Sequence, residues 1–349
     1  MRDRRRWALA ALQAAVTLSW MAYKYHQPRL LAHFGFETLA GILAWYLALA
    51  GTTLAPLAGD ASDRLVRSGG NRFPVVRAGV ALAAASFVAV AVTARAGGDS
   101  PVRFVLPLFV AVWIAGMTVF QAPALAIVRD GADARDLPSA MVPIVLATTV
   151  PVALWPWLEP VLEQSGGTLT FLAGGVAVVG TTLALGATVE VARDERGVTA
   201  EATPAPSPAW AFAFGVASAV VVLLATELVP AVLAERAGLG GSWLAALTML
   251  VGSAVVPLAP RVAAALGSGR ALALGVAIAA LGRVVAIPVG GVGAALAVAV
   301  VTGLGLGLHL ATALPFALSS APTGRAGLTT GLYVAGAMLG SRVVHTLLA

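Results

Sequence analysis

Apolar stretches of about 20 residues recur along the whole chain, separated by short polar turns. That is the length an α-helix needs to cross a hydrocarbon core about 30 Å thick. The stretches fall at 7–32, 35–58, 74–95, 103–128, 138–162, 169–191, 209–235, 240–260, 271–290, 293–317 and 326–347. They are continuous, not alternating runs of about ten residues, and a backbone in lipid must satisfy its own hydrogen bonds. The pattern therefore predicts an all-α, polytopic membrane protein with about eleven transmembrane helices. One stretch breaks the rhythm: Arg193-Asp194-Glu195-Arg196 leads into Pro204, Pro206 and Pro208, polar and Pro-rich as linkers are. It predicts a six-helix bundle over 1–192, a cytoplasmic linker over 193–207 and a five-helix bundle over 208–349. A short echo between Gln121-Ala122-Pro123 in the fourth span and Ala313-Leu314-Pro315 in the tenth fits two parallel halves, an arrangement that places a substrate site between them.

Charge sets the orientation. Only 11% of the residues are charged and 59% are hydrophobic. The N-terminal Met1-Arg2-Asp3-Arg4-Arg5-Arg6 ahead of an apolar run resembles a signal peptide, but the run continues to Tyr23 without a cleavage site, so it reads as a retained first helix. With the N-terminus cytoplasmic, fifteen of the 22 Lys and Arg fall in cytoplasmic segments and helix ends and five on the other side, the bias expected from positive-inside insertion. Membrane orientation thus accounts for the net charge of +6 better than nucleic-acid binding does, and a bacterial plasma membrane is the expected location. Cysteine is absent, which excludes disulfides and thiolate chemistry. No P-loop, His-Glu-x-x-His or nucleophile elbow occurs, and His26, His33, His309 and His345 have no ligand spacing. Neither an enzyme, a cofactor, a metal site nor an ATP-driven pump is expected.

After the second span comes Gly59-Asp60-Ala61-Ser62-Asp63-Arg64, followed by Arg67, Gly69, Gly70 and Arg72 before Pro74. Gly59 allows close helix approach, Asp63 suits the free N–H groups of a helix N-terminus, and the arginines supply charges that pair or repel. The segment resembles the major facilitator signature between helices two and three. Its Gly-x-x-Ser-Asp-Arg form is most similar to the glycoside-pentoside-hexuronide and sucrose-type symporters. Pro315-Phe316-Ala317-Leu318-Ser319-Ser320 with Gly327-Leu328 and Gly331-Leu332 resembles the same carriers. The resemblance implies a two-bundle fold, usually of twelve helices, so the last of these has no counterpart among the eleven spans. It also implies that Asp63 docks near Gly327 as a gate latch, with Gly59, Arg64, Arg67, Arg129 and Asp130 in the same gate. The plainer reading is an ordinary basic loop.

Polar residues inside the spans supply the candidate chemistry. Gln13, Thr17, Trp20, Lys24 and Gln27 recur at steps of four and three on one face of the first helix. By resemblance that helix lines the central cavity, so they are candidate substrate contacts, although Lys24 and Gln27 also suit an interfacial anchor. Gln121 in the fourth span, His309 and Thr312 in the tenth and Tyr333 in the eleventh join them, with helix packing as the alternative. Glu227 and His309 are candidates for proton coupling, because a desolvated carboxylate and an imidazole both exchange protons near neutral pH. Arg283 offers Glu227 a static partner instead. The expected function is secondary active transport of a small organic solute, sugar-like or a drug or metabolite, by alternating access and coupled to protons or another ion. The rival is a transporter-derived subunit without transport, serving assembly or partner binding.

Overall fold

Helices dominate because the chain has nothing but long apolar runs to bury and, in lipid, no water to satisfy its backbone. The computed structural model describes residues 2–95, 100–191, 207–286 and 290–348. Helices α1 (Arg2–His33), α2 (Leu39–Arg67), α3 (Phe73–Ala94) and α4 (Leu106–Ala126) follow in order. The fifth, α5, begins as Leu137–Ala153 and resumes at Trp155. The helical run Trp155–Val191 is broken at Gly166, whose φ of 69° and ψ of 158° only glycine adopts freely. Residues before Gly166 complete α5, and those after it form α6. Helix α7 starts as Pro208–Leu223, takes one π-helical turn over Leu224–Leu228 and continues as Val229–Ala237. Helix α8 joins Gly241–Val255 to Ala259–Leu266 through a 3-10 turn. Helices α9 (Ser268–Ala286), α10 (Val292–Ser319) and α11 (Ala326–Leu348) close the chain.

These eleven rods follow the eleven expected spans, and eight helical stretches among the described residues are long and apolar enough to cross a membrane. The expected linker at 193–207 lies, except for Ser207, outside the described residues. Among the first six helices α1 packs on α5 and α6, α3 on α4 and α6, and α2 on α4; among the last five α7 packs on α11, and α10 on α8 and α9. Two seams join the groups, α2 and α4 against α11 and α5 against α8 and α10.

Glycine makes the first seam tight. A Cβ at Gly59 would run into the carbonyl oxygen of Gly327, and one at Gly331 into that of Ala55. Without a hydrophobic drive between helices in lipid, such backbone-to-backbone approach is what helix packing there relies on. Along the same seam Arg342 of α11 lies over the Trp45 ring of α2, 5.1 Å from its centroid.

Candidate functional site

Where α2 ends, the chain must turn back into α3, and it does so through Gly69, which has a φ of 85°. The turn carries Arg72 under the end of α2, where it is 2% exposed. Its guanidinium donates from Nη1 to Asp63 and to Ser62 Oγ (2.9 Å), and from Nε and Nη2 to the two oxygens of Asp130 at 2.8 and 3.2 Å. Burial opposes the charge, but the carboxylates of Asp130 and Asp63 outweigh it and hold Arg72 above its ordinary pKa.

Asp63, fully buried, completes the cluster from the other side. Its two oxygens accept from the backbone N–H of Gly327 at 2.9 Å and of Leu328 at 2.8 Å, in the first turn of α11. These amides have no partner within their own helix, and the helix dipole adds partial positive charge there. One carboxylate thus ties α2 to α11 across 264 residues of sequence. The other expected gate residues surround it. Arg67 donates to the carbonyl of Gly324 at 2.9 Å, a second contact across the seam. Arg64 pairs with Asp60 of its own helix at 2.6 Å and Arg129 donates to the carbonyl of Ala132, so neither reaches α11 by these bonds. The resemblance implied Asp63 and Asp130 in one cluster but did not single out Arg72 as the buried centre.

The expected substrate contacts divide into three sets. On α1, Trp20 meets Trp113 of α4 edge-on at 4.7 Å, while Tyr23 stacks on the same indole at 4.6 Å. Thr17 is buried with its hydroxyl donated to the Gln13 carbonyl, Gln13 is half-buried, and Lys24 is exposed. Gln27 is buried and lines a cavity with room for about one water among Tyr23, Phe87, Trp113 and Phe171. The second set is on the last five helices: Ser218 of α7, unremarked in the sequence, stands 2.8 Å from both His309 Nε2 of α10 and the Tyr333 hydroxyl of α11. Tyr333 also packs against the small apolar cluster formed by Ala55 of α2, Ala122 of α4 and Val334 of its own helix, at the junction of the two groups. Thr312 is buried and bonds to its own helix at Leu308. The third set is Gln121, next to Ala122 on α4.

Three buried atoms of these residues have no hydrogen-bond partner among the described residues: Gln27 Nε2, Gln121 Oε1 and His309 Nδ1. Buried polar groups are normally paired, so each is a position where an incoming polar group gains a bond at little desolvation cost. Glu227 sits in the π-helical turn of α7, half-exposed, and pairs with His345 of α11 at 2.9 Å. The static partner considered from sequence, Arg283, is not the one it meets. π-turns widen a helix locally and concentrate at functional positions.

No family model matches the chain, and no curated protein matches it. Solved structures do. A bacterial homologue of the iron transporter ferroportin in an outward-facing state superimposes with a TM-score of 0.75 at 17% identity, covering 98% of this chain and 91% of that one. The same kind of structure with soaked iron gives 0.74 and 17%, over 99% and 91%. The human organic anion transporter MFSD10 gives 0.67 and 15%, over 98% and 91%. These likenesses show the fold alone: an all-α, polytopic membrane protein.

Proposed function

We propose that the chain is a secondary active transporter that moves a small organic solute across the membrane by alternating access, with proton coupling. On this reading residues 1–192 and 208–349 are the two halves that rock, joined by the linker at 193–207, and the end that carries Asp63 is cytoplasmic. The observation that carries it is the seating of the Asp63 carboxylate on the first turn of α11, held from below by Arg72 and Asp130. A contact made of a few directional bonds to one carboxylate, where the helix backbones meet at Gly59 and Gly327, is one that a small shift of α11 breaks and remakes. With it closed the cytoplasmic side is shut, in keeping with the outward-facing state named for the ferroportin homologue.

The candidate substrate contacts on this reading are Gln13, Thr17, Trp20, Lys24 and Gln27 of α1, Gln121 of α4, His309 and Thr312 of α10, and Tyr333 of α11. The neighbours' titles carry two cargo classes, iron and organic anions. A metal ion wants several convergent oxygen or nitrogen ligands, and among the described residues no group of three or more His, Asp or Glu is placed to hold one. Aromatic rings and unpaired amide and imidazole atoms suit an organic solute better. An anionic one would also find Lys24. The narrower kinship with sucrose-type symporters rests on the sequence likeness of the loop and of the Pro315 to Leu332 region alone.

The candidates for proton coupling are Glu227, which pairs with His345 at 2.9 Å, and the buried His309. Purified protein is screened against a solute panel by thermal shift, since a ligand of the folded state raises its apparent stability. Hits are then tested for flux in proteoliposomes under a pH gradient. Solute flux that rises with the gradient in the wild type and loses that dependence in Glu227→Gln is the expected result. No flux for any binding solute would favour the partner-binding reading, and pH dependence that survives Glu227→Gln would remove the carboxylate from the coupling step.

A further inference from the structure

His309 presents a physical problem. It is 1% exposed inside the last five helices, and one of its ring nitrogens, Nδ1, has no partner among the described residues. The other, Nε2, has one bonded path outward: to Ser218 Oγ at 2.8 Å, and from there to the Tyr333 hydroxyl at 2.8 Å. Ser218 is 3% exposed, whereas Tyr333 is partly exposed and packs on the cluster of Ala55, Ala122 and Val334, where α2 and α4 of the first group meet α11. The three side chains therefore form a line from the junction of the halves to a buried base.

A hydroxyl has one proton and two lone pairs, so such a line has two polarities. In the first, Tyr333 donates to Ser218, Ser218 donates to Nε2, and neutral His309 keeps its proton on Nδ1. In the second, Nε2–H donates to Ser218, Ser218 donates to Tyr333, and the Tyr333 O–H is left to point elsewhere. We propose that Ser218 is the positioning residue of a proton relay that converts one polarity into the other, so that protonation of His309 turns the Tyr333 hydroxyl into a donor facing the junction. The protons balance. One arrives at the Tyr333 oxygen from the junction, the tyrosine proton passes to Ser218, and the serine proton passes to Nε2. The positive charge ends on the imidazolium and no group is left deprotonated. A solute with a hydrogen-bond acceptor then meets a donor when the proton is loaded and a lone pair when it is not. Binding and protonation favour each other, which is the linkage that symport requires. The proposal rests on the carrier reading above and names the route by which His309, one of its two coupling candidates, is loaded.

The other charged groups on the helices around His309 have their own partners or stand at other levels. On α9 it is Gly275 that abuts the backbone of His309, with Arg270 and Arg283 at other levels of that helix. On α7 Glu227 is engaged with His345 of α11, and on α11 Arg342 lies over Trp45. Arg261 stands in the last segment of α8, Glu159 and Glu163 in the second segment of α5, and Glu235 and Arg236 in the last turn of α7. Burial alone makes an isolated imidazole slow to exchange protons; a bonded path of hydroxyls supplies the route.

The test is the rate at which the His309 ring exchanges its proton, read by nitrogen NMR on histidine-labelled protein in lipid nanodiscs. The chain has 4 histidines, so His309→Gln assigns the signal. Positioned proton transfer commonly contributes a hundredfold or more, so Ser218→Ala and Tyr333→Phe are expected to slow exchange by at least about tenfold. Ser218→Thr, which keeps the hydroxyl, is expected to stay within about twofold of the wild type by the same reasoning. A purely structural role for Ser218 predicts the opposite sign, because loosened packing admits water and speeds exchange. Wild-type exchange in Ser218→Ala, or slowing that Ser218→Thr does not rescue, would overturn the relay. The carrier reading fails separately: intact relay kinetics with no solute flux in proteoliposomes would sink transport and leave the relay standing.

Discussion

Arg72→Met is expected to lower the stability of the folded protein by about 3–5 kcal/mol, the usual cost of breaking a buried ion pair by removing one partner. Among the described residues the guanidinium is the only group that touches Asp63, Asp130 and Ser62 together, so its loss strands a fully buried carboxylate near Asp130. Asp63 keeps its two backbone donors on α11, which limits the damage but does not neutralise the charge. Lysine is expected to be a poor replacement, because a single ammonium cannot span Asp130 through two parallel bonds while reaching Asp63. Unfolding in detergent, followed by helical signal against denaturant or temperature, reads the loss. Adding Asp63→Asn to Arg72→Met should restore part of it, since the stranded charge is then gone. A single variant as stable as the wild type would mean that Arg72 does not hold the cluster together.

The second large effect is steric. Gly59→Val is expected to reduce solute flux by roughly tenfold or more, because overpacking of this kind costs about 1–3 kcal/mol and falls on the closed state alone. The added carbon would meet the Gly327 carbonyl, so α11 must retreat and the Asp63 contacts stretch. Gly41→Val on the same helix is the control, because a Cβ there meets nothing within 4 Å. Both variants should insert equally well, as judged by yield and elution profile. Equal flux in the two variants would show that close approach at Gly59 is not needed for the transport cycle.

Much of this architecture was legible in the sequence, and the reason is the solvent. In a bilayer an apolar run of helix length has one structural solution, so the spans could be read one by one. The boundary between the fifth and sixth spans, left between 162 and 169, falls at Gly166 because a residue there must take a positive φ. The docking of Asp63 near Gly327 was implied by the resemblance of the loop to the major facilitator signature, and could not be read from the residues alone. What could not be read was choice among chemically equal candidates. Arg64, Arg67 and Arg72 look alike in the sequence, and only the turn through Gly69 decides that the third goes under the helix while the first stays exposed beside Asp60. Glu227 had Arg283 as an apparent partner, but α7 lies along α11 and the partner is His345. Ser218 gave no signal at all: a lone serine in an Ala- and Val-rich helix reads as packing, and its bonds run to residues 91 and 115 positions away.

The central claim is that one rocking motion closes one end of the molecule as it opens the other, with Asp63 biasing the balance. Since the chain has no cysteine, spin labels can be placed at will. One pair, on exposed Ser68 and Thr323, spans the Asp63 end; a second, on exposed Ala32 and Glu235, spans the opposite end. Double electron–electron resonance in nanodiscs then measures both distances in the wild type and in Asp63→Asn. The account predicts that the substitution lengthens the first distance and shortens the second, in matching populations. Lengthening at the Asp63 end with no change at the other, or no change at either, would contradict it.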